Sequence, residues 1–298
     1  MDQLTDDALA VRAQNTTIFA RTTPDQKNRI IRALKKHGAV VGYMGDGIND
    51  APSLKTADVG ISVNNAVDVA KETADIILTQ KHLKAVVDGV IEGRRSFANT
   101  MKYIMMSLSS NFGNMFSVLA AIFYLPFLPV LPIQILLNNF IYDSSQVTIP
   151  FDSVDNDWIS HPRQWNLSSV KKFMYVFGPI SSIFDLLTFF TLYSVFKLHE
   201  SAFQTGWFLE SLATQTLVIH VIRTKHFPLI ESRAAKPLIV STLAAVSIAW
   251  LLPLTPVGRL FKFSPLPLPV VLTIIFLVVA YLIIVEFVKR LYYRKNEF

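Results

Sequence analysis

Met44-Gly45-Asp46-Gly47-Ile48-Asn49-Asp50-Ala51-Pro52 follows directly on the apolar run Ala39-Val40-Val41-Gly42-Tyr43. A buried strand that ends in a Gly-rich turn sets its polar residues at the carboxyl edge of a sheet, where open α/β folds bind ligands. Two carboxylates and an amide held there by tight backbone suit Mg²⁺, which proteins usually hold through one or two carboxylates beside substrate phosphate. Gly-Asp-Gly is also a common turn string, so the same residues read equally as a decorated strand-to-helix turn. The flanks decide between the two.

Upstream, Leu4 to Gln14 reads as a short helix and Thr16-Thr17-Ile18-Phe19-Ala20 as a strand. Thr23 is a plausible N-cap and Pro24 a first-turn proline. Ile30, Ile31 and Leu34 then mark an amphipathic helix that closes on Lys35-Lys36-His37-Gly38, with basic residues and a glycine at its end. Downstream, Pro52 to Thr56 begins a helix, Val59 to Val63 is a strand, Val67 to Thr73 a helix and Ile76-Ile77-Leu78 a strand. Strands alternating with short helices predict a parallel, Rossmann-like sheet. Lys27 falls in the opening turn of its helix, where an ammonium would suit an anionic group; a solvated surface lysine would look the same.

The 298 residues are 51% hydrophobic and 17% charged, more apolar than an ordinary soluble chain, in which about a quarter of residues are charged. The excess is uneven: no charged residue lies between Lys102 and Asp143. The expected layout is a soluble portion over residues 1–82, a stalk helix over 83–102 and a six-span membrane portion over 103–298. Lys81 to Lys102 has one apolar helical face, and no breaker separates it from Tyr103. Such a helix could transmit motion from the soluble portion to the membrane; a plain tether would read alike. The spans are expected near Tyr103–Tyr124, Leu131–Ile149, Phe173–Phe196, Trp207–Ile222, Pro237–Leu252 and Leu268–Val285, the fourth and fifth at the short end of what a bilayer needs. Six spans return both ends of this portion to one side. Basic residues collect there, at Arg163, Lys171, Lys172, Arg223, Lys225, Arg233, Lys236, Lys289, Arg290, Arg294 and Lys295, against Lys197, Arg259 and Lys262 opposite, which places the soluble portion in the cytoplasm.

The net charge of +6 is spread over loops rather than gathered on one face, so nucleic acid is not an expected partner. With no cysteine in the chain, metal ligands must be oxygen or histidine. The amino end Met1-Asp2-Gln3-Leu4-Thr5-Asp6-Asp7 does not have the pattern of a signal peptide.

Polar residues inside spans are costly and usually functional. Ser107, Ser110, Asn111 and Asn114 share one face of the first span, and Asn139, Asp143 and Gln146 one face of the second, with Asn138 adjacent. Amides and a carboxylate from two neighbouring helices make a candidate oxygen cage for a cation, and Asn and Ser also bond helices to one another in membranes. Asp185, midway along the third span, could join the cage or pair with a neighbour. Glu210 is expected near the outer interface, His220 is expected to be structural, and Trp207 and Tyr292-Tyr293 read as interfacial anchors.

Gly45-Asp46-Gly47-Ile48-Asn49-Asp50-Ala51-Pro52-Ser53-Leu54-Lys55-Thr56-Ala57-Asp58-Val59-Gly60-Ile61 resembles the hinge signature of P-type ion-pumping ATPases, and Ala20-Arg21-Thr22-Thr23-Pro24-Asp25-Gln26-Lys27 resembles their upstream phosphate-site segment. The resemblance implies a haloacid-dehalogenase-like phosphorylation domain, present in part, followed by an all-α region equivalent to the last six of ten spans. It implies Asp46 and Asp50 at the catalytic Mg²⁺, Asn49 and Lys27 near the phosphoryl group, and ATP as the energy source, bound by a domain outside this chain. Glu92 to Asn99, Ser109 to Asn114, Tyr142 to Gln146 and Phe177 to Asp185 look most like bacterial magnesium-translocating pumps. That similarity implies a transported divalent cation at Asn111, Asn114, Asn139 and Asp143, with Asn138, Gln146 and Asp185 as further candidates, in a multi-pass protein of the cell membrane's lipid bilayer.

One departure qualifies the resemblance. The family phosphorylates an aspartate in Asp-Lys-Thr-Gly-Thr, and that string does not occur in this chain. The expectation is a carboxyl-terminal portion whose partner is the missing amino-terminal part of the pump, and which alone transfers no phosphoryl group because it lacks the nucleophile. The alternatives are a pump portion for Ca²⁺ or H⁺, or a non-catalytic membrane protein that associates with an intact pump.

Overall fold

The computed structural model describes residues 4–80 and 82–295, with side chains to residue 294. Met1, Asp2 and Gln3 at the acidic amino end, and Lys81 at the expected start of the stalk helix, lie outside the described residues, as does the side chain of Lys295. The chain forms two compact units, Met1–Val90 and Ile91–Phe298.

The first unit runs α1 (Asp6–Gln14), α2 (Pro24–Lys36), β1 (Gly42–Met44), a 3₁₀ turn (Ile48–Asp50), α3 (Ala51–Thr56), β2 (Val59–Val63), α4 (Asp68–Thr73) and β3 (Ile76–Leu78). Local chemistry sets the start of α2. The Thr23 hydroxyl accepts from the Gln26 N–H, and the Gln26 side chain accepts from the Thr23 N–H. This reciprocal box satisfies two donors that a helix start leaves unpaired, and Pro24 has no N–H to satisfy. The strands form a parallel sheet in the order β1-β2-β3, with Gly42 beside Val59 and Ile61 beside Ile76. Leu54, Ala66 and Ala70 pack under it, while Leu9, Ala10 and Ala33 join α1 to α2.

The strand expected at Thr16–Ala20 is absent. Thr16 instead closes α1, its hydroxyl donating to the Arg12 carbonyl at 2.7 Å. Ile18 is 81% exposed, so the segment has β-forming residues but no neighbour to pair with.

Helix α5 (Leu83–Tyr124) runs uninterrupted for 42 residues, about 63 Å at 1.5 Å per residue. The second unit continues with α6 (Pro132–Gln146), α7 (Asn156–Ile159), α8 (Leu167–Phe190, extended by a π turn to Val195), α9 (Glu200–Ile222), α10 (Lys236–Leu251), α11 (Pro256–Leu260) and α12 (Leu268–Lys295). Among the described residues, three helical stretches are long and apolar enough to cross a membrane: Leu167–Val195, Lys236–Leu254 and Leu268–Arg294. The other three expected spans are helical and fall outside that group for separate reasons. The segment Tyr103–Tyr124 of α5 is diluted by serines and asparagines. Helix α6 has 15 residues, under the roughly 17 a span requires. Helix α9 is buried along almost all of its 23 residues, and a helix enclosed by protein needs no apolar exterior.

Helix α9 is the axis of this unit. Phe203, Trp207 and Ala213 pack toward Phe189, Leu192 and Ile274; Phe208, Leu209 and Leu212 toward Ala245 and Phe263; and Val218, Ile219 and Ile222 toward Phe173, Phe177 and Tyr281. The outer surface is apolar: Leu136, Phe140, Leu272 and Phe276 are each more than half exposed. So much outward apolar surface is costly in water and favourable against lipid.

Two expectations about α9 are corrected. Glu210 is 1% exposed and Trp207 4%. Both side chains face protein rather than the surroundings, because α9 is the helix that the others surround. Tyr292 is buried too, edge-on to Phe173 and Phe177, so it packs rather than anchors. His220 of α9 reaches α10, its Nε2 lying 2.9 Å from the Thr242 hydroxyl.

Candidate functional site

The Gly-rich turn is pinned on both sides. The Gly45 carbonyl accepts from the buried Ser62 hydroxyl at 2.9 Å, and the Asp46 carbonyl accepts from the Val67 N–H at 3.1 Å. Gly45 is required by space: a Cβ there would overlap the Asp50 Cβ. The chain doubles back so tightly that only hydrogen fits between them.

Asp50 is buried and fully committed. Its Oδ1 accepts from Lys27 Nζ at 2.9 Å and from the Tyr43 hydroxyl at 2.6 Å, and its Oδ2 accepts from the Gly47 N–H at 3.3 Å. Burial alone would raise the Asp50 carboxyl, but bonds from Tyr43, Lys27 and Gly47 outweigh it and hold the group below the usual carboxylate range. The hydrogen bond to Asp50 holds Lys27 above the ordinary lysine value. Burial, followed by the bond to Asp50, raises the Tyr43 phenol. Asn28 adds a tether, donating to the Pro52 carbonyl at 3.0 Å and the Thr56 hydroxyl at 2.7 Å.

Asp46 and Asn49 differ from Asp50. Both are exposed, and neither side chain takes part in a hydrogen bond among the described residues. Asp46 also lines a small cleft with Met44, Val63, Asn65 and His82. No group of three His, Asp or Glu side chains able to hold a metal occurs among the described residues. Of the expected pair, Asp46 therefore has a carboxylate free for a cation, while Asp50 is occupied in fixing Lys27 and the turn. One free carboxylate with phosphate oxygens fits the way Mg²⁺ is ordinarily held.

In the second unit the expected cage residues divide between two cavities. Asn111, Asn114, Asn138 and Asn139 line a cavity of about 410 Å³ with Met115, Val130, Trp207, Phe208 and Ser211. Asn114 donates to Gln215 at 3.3 Å, and the buried Asn138 Oδ1 has no partner. Asp143 and Gln146 line a separate cavity of about 490 Å³ with Ser96, Asn99, Thr100 and Tyr103. Asn139 and Asp143 share a helical face, but one turn of rise, about 5–6 Å, carries Asp143 out of the asparagine cavity. Ser110 faces a small gap with Phe177, Ser181 and Tyr281. Asp185 lines neither cavity. It is 2% exposed, accepting from the Ser117 hydroxyl at 2.5 Å and from Trp207 Nε1 at 2.7 Å.

Several participants carried no readable sign. Tyr43 looked like any strand aromatic, and Gln215 like any polar residue in a span. Lys102 and Arg223 resembled topogenic surface charges. Both are buried, and both donate to Asp152 Oδ2 at 2.7 Å.

A parallel sheet with a pinned Gly-Asp-Gly turn is followed in the chain by a helical unit with an apolar exterior. Residues 127–291 match the family described as cation transporting ATPase, C-terminus, and residues 26–90 match haloacid dehalogenase-like hydrolases. The chain belongs to the cation-transporting ATPase family. It is 50% identical, over 99% of its length, to Magnesium-transporting ATPase, P-type 1 of Salmonella typhimurium, and 49% identical over the same share to the protein of that name from Escherichia coli strain K12. It is 35% identical over 63% of its length to Calcium-transporting ATPase 1 of Bacillus cereus. The chain spans 33% of the length of each magnesium-transporting relative.

Proposed function

We propose that this chain is the carboxyl-terminal part of an ATP-driven magnesium transporter, a translocase that works through an aspartyl-phosphate whose aspartate is not among these residues. The reading assigns residues 1–82 to a cytoplasmic phosphorylation domain, 83–102 to a stalk helix and 103–298 to six spans of the cell membrane, with the carboxyl terminus also cytoplasmic. The observation that carries it is the similarity to magnesium transporters along nearly the whole chain, against weaker similarity over part of it to calcium transporters.

At the phosphoryl site, the free Asp46 carboxylate would hold Mg²⁺, which supplies charge neutralisation for the phosphoryl oxygens. Lys27 presents positive charge, set in place by Asp50, and Asp50 is in turn set by Tyr43 and the Gly47 N–H. Asn49, exposed beside them, has an amide free to bond a phosphoryl oxygen. The continuous helix α5 would carry movement of the phosphorylation domain into the membrane.

In the membrane, the four asparagines supply neutral oxygens around a space of about 410 Å³. Mg²⁺ dehydrates reluctantly and keeps several waters, whereas Ca²⁺ prefers six to eight direct oxygens, often carboxylates. A roomy cavity lined by amides suits a cation that keeps part of its water shell. Asp143 and Gln146, in the neighbouring cavity, would form an adjoining station. A pump for Ca²⁺ or H⁺ is the second reading, with Asp143 as the proton carrier in the latter case. The test is ATPase activity of the full-length protein across a series of cations. Stimulation by Mg²⁺ as transported ion, lost in Asn111→Leu and Asn139→Leu, is expected. Stimulation by Ca²⁺ alone would overturn the assignment.

A further inference from the structure

Among the described residues, Asp185 of α8 and Glu210 of α9 are the two carboxylates sealed inside the second unit without a cation. They are 2% and 1% exposed, and Trp207, whose indole N–H donates to Asp185 at 2.7 Å, stands three residues before Glu210 on α9 and so on the same helical face. Neighbouring elements contribute the groups around them. From α5 comes the Ser117 hydroxyl and from α9 the Trp207 indole N–H, both bonded to Asp185. From α12 comes the buried Tyr281, whose ring lies edge-on to Phe184 of α8, the residue before Asp185. No lysine, arginine or histidine among the described residues forms an ion pair with either.

Two ionised carboxylates cannot share such a space. Burying one unpaired charge is costly, and a second like charge close by adds to the cost. An ionised carboxylate has only acceptors, so one of the two groups is kept neutral by a proton of its own. The position of that proton follows from the remaining partners. Trp207 Nε1 can only donate, which makes Asp185 Oδ1 an acceptor, and the Ser117 hydroxyl is able to donate to Oδ2, so the ionised form of Asp185 has donors at hand. Glu210 has no donor of that kind, and its Oε2 is buried without a partner.

We propose that Glu210 and Asp185 form a proton-binding site within the membrane unit, holding one proton on Glu210 beside an ionised Asp185. The site is distinct from both cavities described above and does not depend on which cation is transported. It abuts the asparagine cavity through Trp207, which lines that cavity and bonds Asp185. The Ser117 hydroxyl also reaches the Gly113 carbonyl at 2.9 Å. It can therefore turn from Asp185 to α5 when the charge on Asp185 changes.

The experiment is infrared spectroscopy of the full-length protein in lipid at neutral pH, with isotope-labelled glutamate. Glu210 is the only buried glutamate among the described residues, and within the longer protein the Glu210 variants assign the band. The expected result is a protonated carboxylic-acid carbonyl band that shifts with the glutamate label and in D₂O. That band is expected to be lost in Glu210→Gln, kept in Asp185→Asn and unaffected in Glu286→Gln, whose carboxylate is paired with Lys289 and Arg290. Should Glu210→Gln not accumulate, Glu210→Asp takes its place, and the band is expected to lose its response to the glutamate label. The proposal is overturned if no carboxylic-acid band follows the glutamate label, or if the band survives in Glu210→Gln.

Discussion

Replacing Asp152 by alanine tests how the second unit is tied together beside the end of α9. The Asp152 side chain is wholly buried, and so are its partners Lys102 at 4% and Arg223 at 1% side-chain exposure. Its Oδ1 also accepts from the Ala235 N–H at 3.0 Å, so one carboxylate joins α5, the segment after α6, the end of α9 and the start of α10. Removing one member of a buried ion group leaves uncompensated charge and costs about 3–5 kcal/mol. Here the two cations keep some compensation. Lys102 still donates to the Ser153 carbonyl at 2.8 Å, and Arg223 to the carbonyls of Ser153 and Ser232. The loss therefore falls at the low end, about 3 kcal/mol. For a unit of this size each kcal/mol lowers the midpoint by about 2–4 °C, which gives a drop of roughly 6–12 °C.

The assay is thermal unfolding of the purified protein in detergent, with a second variant as internal control. Replacing all three charges by apolar residues of similar volume, Lys102→Met, Asp152→Leu and Arg223→Met, should recover much of the loss, because the cost lies in the stranded charges. A drop equivalent to less than about 1 kcal/mol for Asp152→Ala, the range of exposed pairs, would refute the reasoning. So would a triple variant less stable than the single one.

Lys27→Met should move the Asp50 carboxyl upward toward the ordinary carboxylate range, read by NMR titration, because a charge-assisted bond that favours its ionised form is lost. In the parent, the stabilisation from Asp50 is present above the unfolded carboxylate value of about 3.9 and disappears as pH falls through the lower folded value. The Lys27 contribution is whole below the unfolded lysine value of about 10.4 and disappears as pH rises through the higher folded value, so acid and base unfolding curves should respond to the variant at opposite ends. Gly45→Ala should displace Asp50 and lower ATPase activity of the full-length protein by more than Asn49→Ala does, since its Cβ competes with the Asp50 Cβ for one space. Asn139→Leu should weaken cation stimulation of that activity more than Asp143→Asn, because Asn139 lines the asparagine cavity and Asp143 the neighbouring one.

What could be read in advance was whatever local chemistry decides. The α2 start at Thr23-Pro24, the turn after Tyr43 and the parallel strands Val59–Val63 and Ile76–Leu78 follow from residues within a few positions of one another. Thr16–Ala20 misled for the converse reason: β-branched residues describe a segment's preference, and a strand also needs a partner edge. The Lys102–Asp152 and Arg223–Asp152 bonds bridge 50 and 71 residues. At each end they look like the charges that flank any membrane span. Tyr43 was hidden in another way, because a strand aromatic whose hydroxyl reaches a carboxylate seven residues on cannot be told from one that only packs.

The residues expected to form one cage of amides and a carboxylate line two cavities, because helical rise as well as helical angle decides what two residues share. Asn139 and Asp143 share a face, and sharing a face does not mean sharing a cavity. The division separates neutral oxygens from charge. The asparagine cavity holds four amides and no carboxylate, while the nearby charges are Asp143, exposed in its own cavity, and the sealed pair Asp185–Glu210 behind Trp207. A divalent cation in the asparagine cavity would be solvated by dipoles and by its own retained water. It would be attracted by carboxylates that do not touch it, and a longer-range attraction is weaker and easier to reverse. An ion that must be bound on one side of a membrane and released on the other needs that reversibility.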